Sequence, residues 1–183
     1  GAPGPDLETM ESSILNHPEL KPNIQKLESL LNQKSLKAKI ASRYLYEHLF
    51  LAHIYFQSAP NVFFRLVRSK TASEKIEEIG TTYPFSDPHQ NFYYRLRPVT
   101  NTITHKSHIP FMISNNKLNT WKDDFYNTPW DDLPKKMPAY GAKGSNPFET
   151  FKAIPTKARY KFFLENAHYH VMTFIKGPVC RGQ

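Results

Sequence analysis

Residues 44–56, with the sequence YLYEHLFLAHIYF, place three side chains capable of acid–base chemistry in an otherwise apolar segment. Glu47 supplies a carboxylate, and His48 and His53 supply two imidazoles. These residue types transfer protons in active sites when their surroundings tune their pKa values. We take the three as candidate catalytic residues. The alternative is that they tie a buried helix to its neighbours, since buried polar groups are normally hydrogen-bonded.

The spacing of this segment separates the two histidines if it forms one helix. At ~100° per residue, His53 lies about 140° from His48, so both do not line one small site from the same helix. Glu47 adjoins His48, and burying its carboxylate without a partner costs several kcal/mol. We therefore expect Glu47 to pair with Arg43, four residues earlier, or with Arg65 in a later segment.

Arginines are interleaved with aromatic and aliphatic residues in two later segments, FFRLVRS (63–69) and FYYRLRP (92–98). If these segments pair as strands, several of the arginines can share one face of the sheet. One interpretation is a platform that binds phosphate headgroups or single-stranded nucleic acid. The other is a set of outward arginines on the solvated side of a one-faced sheet. The candidate headgroup-binding residues are Arg65, Arg68, Arg95, Arg97, His105 and Lys106.

Common catalytic and metal-binding patterns are absent from the sequence. It contains no C-x-x-C, no H-E-x-x-H, no phosphate-binding glycine loop and no G-x-S-x-G. His168 and His170 are two positions apart, which puts them on opposite sides of a helix, so they would not chelate together. Cys180 is the single cysteine, so no internal disulfide can form. We expect no metal site in this chain.

The order of predicted elements is helices, then strands, then a loop, then a helix. Apolar spacing predicts helices over residues 6–16, 22–33, 36–57 and 117–127. Alternation predicts strands over 61–69 and 91–99, and shorter ones over 101–105 and 109–114. The segment 36–57 is apolar on nearly all sides in its second half, as in a covered central helix. We predict an α+β fold with a long buried central helix, a small, mainly antiparallel sheet, and a Pro/Gly-rich loop over 129–147.

The last predicted helix begins at Pro155 and ends near Gly177. Its apolar residues recur at helical intervals and predict a single seam. The seam consists of Tyr160, Leu164, Ala167, Val171 and Phe174.

The formal net charge is +8, and the excess of basic residues is largest towards the end of the chain. Such a surface suits anionic partners, namely phosphates, nucleic acid or lipid headgroups. A solvated basic face without a partner is the other interpretation. The sequence contains no run of 18 apolar residues, the length that would indicate a membrane-spanning helix.

Four stretches resemble the fatty acid cis–trans isomerase family in their residues, order and spacing. They are SRYLYEHLFLAHIYF (42–56), FFRLVRS (63–69), FYYRLRPVTNTITHKSHIPF (92–111) and the run from NPFETF to the end (146–183). The resemblance covers roughly residues 10–183. It implies a periplasmic enzyme of Gram-negative bacteria that converts cis double bonds of membrane phospholipid acyl chains to trans during membrane stress. It also implies haem c, held by a C-x-x-C-H motif, whose ferric iron would transiently withdraw electron density from the double bond.

The chain departs from that pattern because it has no C-x-x-C-H motif and no export signal. We interpret residues 10–183 as a single α+β domain, an internal piece of a longer enzyme, and residues 1–9 as a cloning remnant or linker. Without a haem of its own, the piece would be inactive alone and would serve lipid access, headgroup binding or lining of the haem pocket. Its partners would be membrane phospholipids and the rest of the parent polypeptide.

A non-catalytic role is the alternative: a structural docking module, or a module that binds anionic lipid or nucleic acid. The sequence has no RRM signature or other recognised nucleic-acid motif, so we expect no specific nucleic-acid partner.

Overall fold

The computed structural model describes residues 2–101 and 108–180, with side chains described through residue 175. It confirms the α+β class. The helices are α1 (Leu7–Leu15), α2 (Lys21–Leu31), α3 (Leu36–His48), α4 (Asn115–Trp121), α5 (Pro147–Thr150), α6 (Thr156–Glu165) and α7 (Ala167–Cys180). The strands are β1 (His53–Phe56), β2 (Ala59–Ser69), β3 (Tyr93–Pro98) and β4 (Pro110–Ile113). A π-helical segment follows α4 over Lys122–Asn127, and a 3₁₀ helix spans Gly141–Gly144.

The four strands form one sheet in the order β3-β2-β1-β4. β2 pairs antiparallel with both β1 and β3, whereas β1 and β4 run parallel, with Ile54 opposite Phe111. One face of the sheet carries Phe64, Leu66 and Leu96 into the main core. Helix α2 covers the free edge of β3, because Asn32 bonds both the N–H and the carbonyl of Tyr94 at 2.8 and 2.9 Å.

The prediction of one long central helix over 36–57 is wrong for the second half of that segment. Helix α3 begins after the N-cap Ser35 and ends at His48; a short turn leads into β1, so His53 lies on a strand. Apolar residues on all sides of a segment leave no period that tells helix from strand. Pairing on both edges makes this segment a strand: β1 pairs with β2, which follows directly in sequence, and with β4, more than fifty residues away. Eight of the thirteen residues of α3 are buried.

The single C-terminal helix predicted from Pro155 to Gly177 is also corrected. Two helices, α6 and α7, occupy this region, with a break at Asn166, and α7 runs on to Cys180. The predicted seam does not face the core: the exposed fractions are 65% for Tyr160, 53% for Leu164, 55% for Val171 and 83% for Phe174. Ala158, Phe162 and Tyr169 pack inward instead.

Other predicted elements match in place. Helices α1, α2 and α4 lie where apolar spacing predicts them, and α1 begins at Leu7, inside the range assigned to a linker. The predicted strand over 101–105 falls largely outside the described residues. No helix in the described ranges is both long and apolar enough to cross a bilayer.

Candidate functional site

The Glu47 carboxylate pairs with Arg43, as predicted from their spacing on α3. Arg43 Nε donates to Glu47 Oε2 at 3.0 Å, and both side chains are almost fully buried. The remaining Arg43 nitrogens donate to the carbonyls of Pro138 and Ala139 at 2.7 and 2.9 Å, and the guanidinium lies 3.9 Å from the centre of the Tyr140 ring. Arg43 thus joins α3 to the segment before the 3₁₀ helix.

Burial makes Glu47 a weak acid in spite of its partners. Loss of hydration raises the pKa of its carboxyl to about 7, and the charges of Arg43 and Arg68 limit that rise. A carboxyl with this pKa can both hold and release a proton near neutral pH. Glu47 therefore has the acid–base property expected of a candidate catalytic residue, but its side chain is only 9% exposed.

His48 is a neutral imidazole inside an aromatic cluster. Its Nδ1–H donates to the carbonyl of Tyr44 at 2.7 Å, and its ring lies 4.0 Å from the Tyr44 ring. Burial lowers the pKa of His48 to about 4. His170 of α7 approaches it with ring centres 6.3 Å apart, and its Nε2 is buried with no hydrogen-bond partner in the described part of the chain. This cluster links α3 to the C-terminal helices.

His53 lies in a different place from His48. It sits on β1, and its Nδ1 is 2.7 Å from Nδ1 of His108, so one ring must donate to the other. Burial is the first cause that lowers the pKa of His53, followed by the nearby charges of His108 and Arg65. The two histidines of the opening motif do not share a site, although the reason is a change from helix to strand rather than helical rotation.

The arginines on the outer face of the sheet are paired with carboxylates of the protein. The register places Arg65 opposite Arg97 and Val67 opposite Arg95, so these three arginines share one face as predicted. Glu78 contacts both Arg65 and Arg97, at 3.3 and 2.9 Å.

Arg97 also contacts Glu11 at 3.1 Å, and Arg95, only 5% exposed, contacts Glu28 at 3.3 Å. These pairs satisfy much of the charge that a lipid headgroup would otherwise neutralise. His105 and Lys106, the other candidate headgroup ligands, lie outside the described residues.

Arg68 points the other way, into the protein. It is 1% exposed, and its Nη2 donates to Thr81 Oγ1 at 3.2 Å, while Nε and Nη1 have no partner within the described ranges. It lines a cavity of about 240 Å³ at the end of β2, together with His53 and Arg65. The sequence indicated Arg68 as a cation on a strand, but no signal in it pointed to Thr81.

A cavity of about 930 Å³ lies between α1, α2 and the segment 72–76. Charged and polar side chains dominate its lining, among them Glu8, Glu11, Lys21 and Lys75. Such a lining suits water better than an acyl chain, because ligand pockets for apolar molecules are mostly apolar. No three metal-ligating side chains come together among residues 2–101 and 108–175.

A comparison with protein-family models gives one match, to the fatty acid cis/trans isomerase model, over residues 5–183. Searches of curated proteins and of solved structures give no match.

Proposed function

The chain belongs to the fatty acid cis/trans isomerase family, and from this premise we propose that it is part of an enzyme that isomerises unsaturated acyl chains of membrane phospholipids. The carrying observation is the family match over nearly the entire chain. We further propose a periplasmic location, in Gram-negative bacteria, and a role in adaptation to membrane stress. Straighter trans chains pack more tightly, so the conversion would counter a disturbance that loosens the bilayer.

The reaction turns one end of an acyl chain about its double bond and leaves every atom in place. Rotation requires that the π bond be weakened for a moment, which is the chemistry a haem iron would supply. The residues of this chain do not fit covalent haem: thioether attachment needs two cysteines in C-x-x-C-H, and Cys180 stands alone. We therefore derive no step through haem here, and propose that haem c is carried by another part of the parent polypeptide.

The exposed apolar side chains of α6 and α7 support a lipid-facing role. Tyr160, Phe163 and Leu164 follow one another on α6, and Val171 and Phe174 continue on α7. The backbone bonds from Asn166 N to Phe162 O and from His170 N to Asn166 O keep helical spacing across the break. The result is an exposed apolar surface on α6 and α7 of the kind found at membrane and partner contacts.

Positive charge near this apolar surface favours an anionic membrane as its partner. Lys157 is exposed on α6, three residues before Tyr160, and the chain as a whole carries +8. Interfacial helices combine an apolar face with basic flanks in the same way. A module that docks on the membrane without its own catalysis is therefore the second candidate function.

An isomerisation assay tests the proposed function. Vesicles of cis-unsaturated phosphatidylglycerol are incubated with this chain or with the longer gene product that contains it, and trans chains are measured by gas chromatography of methyl esters. We expect trans lipid and a c-type haem absorption spectrum from the longer product, and neither from this chain alone.

Trans lipid formed by this chain alone would contradict the assignment of the chemistry to another part of the enzyme. A longer product that binds haem c but forms no trans lipid would overturn the proposed function.

A further inference from the structure

The Arg68 guanidinium is buried without enough acceptors. A buried charged donor that lacks partners costs several kcal/mol, so proteins keep such groups where something else completes them. Thr81 accepts one hydrogen bond at 3.2 Å, and Nε and Nη1 donate to no acceptor among the described residues. At least three N–H donors of a planar, permanently charged group are therefore without an acceptor in that part of the chain.

Three aromatic rings around Arg68 stabilise its positive charge but accept no conventional hydrogen bond from its N–H groups. The rings of Tyr46, Phe92 and Tyr140 lie 5.3, 5.5 and 6.0 Å from the guanidinium carbon, within the range of cation–π attraction. Glu47 interacts with Arg68 through charge, but its hydrogen bond goes to Arg43. An oxygen anion from outside the protein would therefore find free donors and an attractive charge.

Polar and apolar side chains both line the cavity that contains Arg68. The polar ones are Tyr46, His53, Arg65, Arg68, Glu78 and Thr81. The apolar ones are Phe50, Leu51, Ala52, Leu66, Val67 and Ile79. Its volume of about 240 Å³ is below the ~300–1,000 Å³ that hold whole drug-sized ligands, so it suits one end of a longer molecule.

We propose that this cavity binds the oxygen-anion head of a single-chain lipid, a carboxylate or a phosphate, with Arg68 as its ligand. Both heads present the paired acceptors that a guanidinium recognises in a fork. The first carbons of the chain lie against Leu51, Leu66 and Ile79. The inference rests on the proposed function and adds to it a site that holds the head of an acyl chain at the end of β2.

Calorimetric titration of this chain tests the proposal with four probes below their micelle concentrations. They are cis-9-octadecenoate, its methyl ester, 1-oleoyl-lysophosphatidate and inorganic phosphate. We expect at least one of the two anionic lipids to bind at least tenfold more tightly than the methyl ester and inorganic phosphate. The ratio between octadecenoate and lysophosphatidate tells a carboxylate site from a phosphate site.

Two variants locate the binding. Arg68→Gln should weaken binding of the anionic lipid at least tenfold, whereas Arg159→Gln, which changes an arginine of α6 outside the cavity lining, should leave binding unchanged. Leu51→Trp, at a half-buried position in the apolar part of the lining, should also weaken binding at least tenfold without changing Arg68. If Arg68→Gln does not fold, the result for Leu51→Trp tests whether the lipid binds in this cavity.

The proposal is overturned if neither anionic lipid binds the unchanged chain, if the methyl ester binds as well as the acid, or if folded Arg68→Gln and Leu51→Trp both bind as before. None of these results depends on turnover, so a failure of isomerisation and a failure of this site are separate outcomes.

Discussion

Two neighbouring residues of α3 respond to protons in opposite ways. Glu47 and His48 are both buried, and burial disfavours the charged form of each. For the acid this raises the pKa, and for the base it lowers the pKa. The folded protein therefore prefers a protonated Glu47 and an unprotonated His48, and the pH dependence of stability carries two contributions of opposite sign.

The unchanged protein should lose stability as pH rises, and Glu47→Gln should not show this loss. The pKa of Glu47 in the folded protein, about 7, lies above the ordinary 4.5, so the folded state holds the proton more tightly than the unfolded chain. The contribution of this proton to the free energy of unfolding is fully present below pH 4.5 and is lost as pH rises through about 7, by up to about 3 kcal/mol. Urea unfolding at pH 5, 6, 7 and 8 measures how the free energy of unfolding depends on pH.

The control for Glu47 is Glu149→Gln, which changes an exposed carboxylate. A free energy of unfolding that falls equally with pH in the unchanged protein and in Glu47→Gln would contradict a raised pKa at this position.

His48→Gln should remove a loss of stability on the acid side. The folded pKa of about 4 lies below the ordinary 6.5, so the unfolded chain takes up a proton that the folded protein refuses. Stability therefore falls as pH drops from 6.5 to 4, by up to roughly 3 kcal/mol, and the variant should lack this fall. His168→Gln, at an exposed position of α7, is the control. Equal acid sensitivity of the free energy of unfolding in both variants would refute the assignment.

At the scale of elements, α3 and the 3₁₀ helix Gly141–Gly144 meet through Arg43. The side chain of Arg43 bonds the carbonyl of Ala139, and Gly144 lies against both. A Cβ at Gly144 would stand 2.1 Å from the Ala139 oxygen and 2.8 Å from Arg43 Nη2. Only glycine leaves the space that this crossing requires.

Gly144→Ala should lower the free energy of unfolding by about 1–3 kcal/mol, the usual cost of forcing an extra carbon into a packed place. Gly80→Ala is the matched control, because nothing lies within 4 Å of its added carbon. Thermal and urea unfolding of the two variants compare the cost. If Gly144→Ala were as stable as Gly80→Ala, the inference that the 3₁₀ helix packs closely on Arg43 would be contradicted.

At the scale of the whole molecule, charge and apolar surface are arranged differently from the sequence-based expectation. The arginines of the sheet are tied to Glu11, Glu28 and Glu78, whereas apolar side chains lie exposed on α6 and α7. Contact with a membrane is thus expected at the C-terminal helices rather than at the sheet. Electrostatic attraction would draw the protein to an anionic surface, and apolar insertion would hold it there.

The double variant Val171→Ser with Phe174→Ser should weaken binding to anionic vesicles at least tenfold. Each of these side chains contributes about 1.5–3 kcal/mol when fully buried, so losing part of that from both is enough. Vesicle sedimentation at low and at moderate salt measures partitioning, and salt should weaken the binding of the unchanged protein.

Leu7→Ser on α1, 62% exposed in the folded protein, is the matched control and should bind as before. Equal binding by the double variant would show that the apolar surface of α6 and α7 does not meet the membrane.

Local features of this protein are determined by the sequence itself. The Arg43–Glu47 pair follows from a four-residue spacing on a helix, and the shared face of Arg65, Arg95 and Arg97 follows from strand alternation. The α+β class follows from the order of periodic segments. The family follows from long runs of residues whose order and spacing are preserved. Each of these depends on residues close together in the chain, or on the chain read in order.

Tertiary structure alone decides what depends on distant partners. β1 lies inside the sheet because the distant β4 pairs with the edge that β2 leaves open, and His53 meets His108 because His108 comes just before β4. Arg68 is shielded from solvent because α3 and the segment around Tyr140 close over it, and Thr81 accepts a hydrogen bond from it. The seam of α6 and α7 stays exposed because Phe162 and Tyr169 fill the place against the core. Apolar spacing shows which side of a helix is apolar, but only packing shows whether that side is covered.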